Sequence, residues 1–183
     1  MRKRTALAAM LLGAIAVLAI GSYATADSGK KNVETGPMSG YLEGAPGGPI
    51  SSGANGSFEG RIEENQLDYT LEYSGLEANV TQAHIHFGQR SVNGGISAWL
   101  CGTAGLPGPD GTPPCPGARS GTISNTIVAA DVIGPGGQGI AAGEFDELVA
   151  AIRAGRAYAN VHSSTFGGGE IRGQINDSDQ RDD

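Results

Sequence analysis

The chain has 183 residues, 39% hydrophobic and 17% charged, which is room for one ordinary domain and too apolar for a disordered chain. Its 31 glycines and 9 prolines follow no G-X-Y period, so collagen is excluded and short strands with many turns are favoured over long helices. With 12 basic and 19 acidic residues the formal charge is −7, which argues against nucleic acid and anionic membrane surfaces as partners.

In chain order, Arg2, Lys3 and Arg4 precede an almost wholly apolar run from Thr5 to Gly21, and Ala24-Thr25-Ala26 follows as an A-x-A cleavage site. Residues 1–26 therefore read as a secretory signal peptide, with an uncleaved membrane anchor as the alternative. Cleavage leaves 9 basic against 19 acidic residues, a charge of −10 on a secreted, periplasmic or cell-surface chain that needs no membrane. Residues 27–37 are polar and read as a flexible lead-in. The segment 176–183 (NDSDQRDD) is a charged tail with nothing apolar to bury, and the domain between them spans 38–175.

Strand signals recur at 39–42, 57–62, 66–73, 80–87, 96–101, 121–128, 156–162 and 170–175, most of them separated by Gly, Pro, Asn or Ser. The clearest is 66–73, where Leu67, Tyr69, Leu71 and Tyr73 alternate with Asp68, Thr70 and Glu72. So many short strands predict an all-β antiparallel sandwich or barrel. One stretch breaks the period. Phe145, Leu148, Val149 and Ile152 fall at i, i+3, i+4 and i+7 and predict a short amphipathic helix between Gly143 and Gly155 that plugs one end of the sandwich. Acids at its start, Arg153 at its end and Gly155 as the C′ residue suit its dipole and its stop. The only cysteines, Cys101 and Cys115, read as a disulfide in an exported chain. A two-thiolate metal site is the alternative.

The three histidines are His84, His86 and His162. In a strand, residues two apart share a face, so His84 and His86 lie with Gln82 on the side away from Ala83, Ile85 and Phe87. In 158–162, Tyr158, Asn160 and His162 occupy the side opposite Ala159 and Val161. Both segments lead into glycine-rich loops, 88–95 and 163–169. If the strands are neighbours, three imidazoles meet beneath those loops. Such a donor set suits Cu, Zn and Ni, with Cu(II) favoured by the affinity order. Unrelated surface histidines are the alternative.

The stretches 82–88 (QAHIHFG), 93–95 (NGG), 147–155 (ELVAAIRAG), 157–162 (AYANVH) and 169–175 (GEIRGQI) resemble the CHRD domain, first described in chordin. The resemblance covers 38–175. It implies an immunoglobulin-like antiparallel β-sandwich, here with one short helix, distantly similar to copper/zinc superoxide dismutase. His84-Ile85-His86-Phe87-Gly88 is similar to the dismutase copper strand H-V-H-x-F-G, although here Phe follows the second His directly. Asn160-Val161-His162 is similar to the later V-V-H. The bridging histidine and the zinc ligands of the dismutase have no counterpart, so zinc binding of that type is not expected. Asn160 and Arg172 are candidates for support behind the ligands. Arg172 has two readings, an anion guide as in the dismutase or a surface residue pairing with Glu170 or Asp131.

Three functions are therefore on the table. The first is a non-enzymatic exported domain that holds copper through His84, His86 and His162. The second is an adhesion module with a protein partner outside the cytoplasm. The third is a copper-only dismutase, which the acidic charge and the missing ligand disfavour.

Overall fold

A computed structural model describes residues 31–44 and 46–175, so the leader expected at 1–26 and the tail expected at 176–183 lie outside the described residues. The strands are β1 (Asn32–Glu34), β2 (Met38–Ser39), β3 (Asn55–Ile62), β4 (Gln66–Ser74), β5 (Val80–Phe87), β6 (Gly95–Gly102), β7 (Gly121–Val128), β8 (Ala157–Ser163) and β9 (Ile171–Gln174), with one α-helix, α1 (Phe145–Arg153). They pair antiparallel in the order β6-β5-β8-β9-β2-β3-β4-β7, with β1 added on β3. The expected antiparallel β fold with one helix is what forms. The sheet curls into a near-closed barrel, and the Tyr69 hydroxyl of β4 reaches across the interior to donate to the Leu100 carbonyl of β6 at 2.6 Å.

The core follows from the alternation. Leu67, Tyr69, Leu71 and Tyr73 of β4 are buried, and so are Ala83 and Ile85 of β5, Ala157, Ala159 and Val161 of β8, and Ile171 of β9. The residues between them on β5, β8 and β9 point to the other side of the sheet. Helix α1 adds Phe145, Leu148, Val149 and Ile152 to the same core. Phe145 and Val149 line a groove with Ile62, which ends β3, and Glu63 of the β3–β4 turn, so the helix lies at that end. Asp146 and Glu147 stand in its first turn and Arg153 in its last, and Gly155 follows with φ +62°. Cys101 and Cys115 form a disulfide, Cα–Cα 4.9 Å. It closes the loop that brings Gly108 under the Trp99 indole, where a Cβ would lie 2.7 Å from the ring.

Two expectations need correction. The lead-in at 27–37 is ordered from Asn32 onward: β1 pairs with Glu59–Arg61 of β3, Val33 is buried in the core, and Thr35 bridges to Ile175. One well-placed valine joins an otherwise polar segment to the sheet. The strand expected at 39–42 stops at Ser39 and gives way to a 3₁₀ turn, Gly40–Leu42, closed by the Glu43 N–H donating to the Gly40 carbonyl at 3.2 Å. Gly40 is pressed against the Ile50 carbonyl, where a Cβ would lie at 2.4 Å. The turn puts Tyr41 in solvent and buries Glu43.

Leu148 is fully buried on the core face of α1. Leu148→Ala is expected to lower unfolding stability by about 2–5 kcal/mol through the cavity it leaves, measured by urea titration.

Candidate metal centre

Cross-strand register builds the site. Asn160 of β8 stands between His84 of β5 and Arg172 of β9, and Trp99 of β6 lies on the far side of His84. In the next row Tyr158 stands between His86 and Gln174, and His162 pairs with Gln82. The outward face of β5, β8 and β9 is thus almost wholly polar. The register of β5 against β6 shifts between Ala83 and His84 and again between Ile85 and His86, and such irregularities re-aim side chains near functional sites.

The face is not wet: the histidines turn off the hydrophobic core, as expected, but into a covered layer rather than to the surface. His84, His86, Tyr158, Asn160, His162, Glu170, Arg172 and Gln174 are all buried. They are covered by the 40–52 segment and by the loops at 88–94 and 163–169, through the contacts that follow. The two loops supply one carbonyl each: Gly94 O lies 3.0 Å from His86 Nδ1, and Gly167 O lies 3.0 Å from His162 Nδ1.

Those carbonyls assign the protons. A carbonyl only accepts, so Nδ1 of His86 and of His162 carries the hydrogen and each Nε2 keeps its lone pair. His84 Nδ1 lies 3.1 Å from His162 Nε2 and is the donor of that bond. The Nε2 atoms of His84 and His86 are buried without any hydrogen-bond partner. A buried acceptor left without a donor costs about 1–3 kcal/mol. His86 Nε2 and His162 Nε2 therefore offer lone pairs, and His84 Nδ1 offers a third once its proton moves to Nε2, which keeps that ring neutral.

The ligand atoms of the three rings lie within 4.8 Å of one another. A metal held at about 2.0 Å from three nitrogens needs them about 3.3–3.5 Å apart. The closest pair, at 3.1 Å, is near that spacing, and a pair at 4.8 Å must contract by about 1.3–1.5 Å. The donor set fits a transition metal. Among the described residues no Asp, Glu or Cys joins the cluster.

Burial keeps the rings neutral. Desolvation, reinforced by the other two histidines, pushes the His84 pKa far below its ordinary value. Desolvation also outweighs the carbonyl contacts of His86 and His162 and brings both to about 4. Neutral imidazole is the ligating form, so at pH 7 protons scarcely compete with a metal here.

Three further neighbours, Glu43, Tyr158 and Trp99, have no signal in the sequence that singles them out, and Arg172 lies behind the site but in neither of the two detailed roles expected of it. Glu43, thrown inward by the 3₁₀ turn, accepts from Asn160 Nδ2 at 2.6 Å, and desolvation raises its pKa to about 7 despite Asn160 and Arg172. The Tyr158 ring stacks on His86 at 4.8 Å and 3°. Trp99 meets His84 edgewise at 4.3 Å. Arg172 is neither an exposed guide nor a surface ion-pair partner, being 1% exposed and bonded to the carbonyls of Val92 and Gln89. Glu170 instead accepts from Ser52 and the Glu77 N–H. A cavity of about 190 Å³ lies beside Glu43, Asn93 and Gly167, between the covering segments. A surface groove of about 850 Å³ over Val33, Gly60 and Tyr69 shares no residue with the histidines.

The signs of these shifts set a pH dependence. Folded-state histidines held at about 4 or lower bind fewer protons than unfolded ones with pKa about 6.5, so their stability is full above about 6.5 and is lost as pH falls. Glu43, raised from 4.5 to about 7, acts in the opposite sense and offsets part of the loss. The metal-free protein is expected to show a falling urea midpoint from pH 7 to pH 4.5, and a steeper fall in Glu43→Gln.

The sequence profile of the CHRD domain matches residues 38–175. No curated protein and no solved structure matches the chain. The matched segment holds β2 to β9, the helix, the disulfide and all three histidines, and the chain belongs to the CHRD domain family.

Proposed function

We propose that this CHRD domain is an exported, non-enzymatic copper-binding domain that holds one ion through His84 Nδ1, His86 Nε2 and His162 Nε2. The observation that carries the reading is the convergence of three buried imidazoles whose ligand atoms lie within 4.8 Å of one another, with His86 Nε2 left without a hydrogen-bond partner. A cation satisfies that lone pair, and all-imidazole ligation suits copper, which heads the affinity order for such donors. When bound, copper supplies one-electron redox chemistry and an open coordination position. The protein's own part is to present three neutral rings and keep bulk water away from them.

Export is supported by the basic, apolar and A-x-A succession in residues 1–26 and by the Cys101–Cys115 disulfide, a bond that persists in oxidising compartments. Among the described residues no helix is long and apolar enough to cross a membrane. A holding role is favoured over superoxide dismutation by the acidic charge and by the inward bonding of Arg172, which take away the cationic approach an anionic substrate needs.

The purified protein loaded with copper and dialysed is expected to keep one copper per chain, and His84→Ala and His162→Ala are expected to lose it. Unchanged copper content in both variants contradicts the site. Superoxide consumption by the loaded protein is expected to stay at the level of the His162→Ala variant.

A further inference from the structure

Beyond the three ligands, we propose that Arg172 is a positioning residue for His86, acting through the 88–94 loop and Tyr158. The role rests on the copper reading of the site and assigns Arg172 a task that neither an anion guide nor a surface ion pair performs.

Two arms run from this guanidinium to one imidazole. In the first, Nη1 donates to Val92 O at 3.0 Å and Nη2 donates to Gln89 O at 2.8 Å. Both carbonyls belong to the loop that ends in Gly94, whose own carbonyl accepts from His86 Nδ1. In the second, the guanidinium carbon sits 3.3 Å from the centroid of the Tyr158 ring, which stacks on His86. The arms rejoin where the Gly94 N–H donates to the Tyr158 hydroxyl at 3.1 Å. Gly94 thus binds Tyr158 with its N–H and His86 with its carbonyl.

The packing around these arms leaves little play. A Cβ at Gly94 would lie 1.7 Å from the Phe87 carbonyl, and a Cβ at Gly44 would lie 3.1 Å from Arg172 Nη1. In the other loop Gly167 and Gly168 have nothing within 4 Å of a Cβ, and only Gly169 at its end is packed, against Asn160 at 2.7 Å. The consequence is chemical. While Gly94 O stays in place, His86 keeps its proton on Nδ1 and turns the Nε2 lone pair toward His84 and His162. Without the staple, the loop carbonyl leaves and the ring is free to take either tautomer. Only a planar fork bonds two carbonyls while stacking on a ring, so lysine is not a substitute despite its charge.

The test uses the purified protein with Arg172→Lys and, as a milder change that removes only one hydroxyl, Tyr158→Phe. Histidine ¹⁵N resonances of the metal-free proteins read the tautomer of His86 directly. Wild type is expected to show Nδ1 protonated, and both variants to move toward a mixture. After loading with Cu(II), both variants are expected to keep one copper per chain with an affinity about 10–100-fold weaker and an altered electron paramagnetic resonance spectrum. A role in stability alone would lower the melting temperature and move neither readout. If both variants, or Tyr158→Phe alone where Arg172→Lys does not fold, keep the wild-type His86 resonances and copper affinity, the proposal is overturned. Wild type that takes up no copper while the variants still shift the His86 tautomer refutes the copper function and leaves the positioning role standing.

Discussion

Everything at this site depends on keeping three imidazoles dry, neutral and close together. Nitrogens 3.1 Å apart on His84 and His162 tolerate one shared proton but not two positive rings, and burial makes even one charge costly. Two loop carbonyls hold the protons of His86 and His162 on the side away from the cluster. The polar face of the sheet is therefore a second interior, hydrogen-bonded over most of its extent, with Nε2 of His84 and of His86 and Oε2 of Glu170 left without partners. The convergence of three neutral imidazoles distinguishes a place for a cation from a merely buried hydrogen-bond network.

The barrel divides its labour between the two faces of the same strands. On β5, β8 and β9 one face carries Ala83, Ile85, Ala159, Val161 and Ile171 into the hydrophobic core, and the other carries the histidines with Tyr158, Asn160 and Arg172. The small residues Ala157, Ala159 and Gly173 lie on the core side; a Cβ at Gly173 would already come within 2.8 Å of Met38. Rigidity of the metal face thus derives from the core behind it. The disulfide extends the same support on the β6 side, since its loop packs Gly108 on Trp99 and Trp99 abuts His84.

How much of this was legible beforehand follows from what periodicity encodes. Alternation on β5 and β8 assigns the three histidines to the face away from the core, and the pairing of β5 with β8, which alternation leaves open, makes it one face. It does not encode what lies above that face. Glu43 was unreadable because the 39–42 segment looks like a strand, and only the crowding of Gly40 against Ile50 turns it. Arg172 has the composition of a surface residue. Its burial requires carbonyl acceptors 80 and 83 positions away, which no local pattern announces. The structure brings His84, His86 and His162 together, and the guiding role expected of the arginine does not carry over because the guanidinium is turned inward.

X-ray absorption on the copper-loaded protein is the most direct test of the central claim that the three rings converge on one ion. The account predicts a shell of three imidazole nitrogens at about 2.0 Å from copper, reduced to two in the His162→Ala variant. A wild-type spectrum dominated by oxygen or sulfur donors, or one that His162→Ala leaves unchanged, would contradict it.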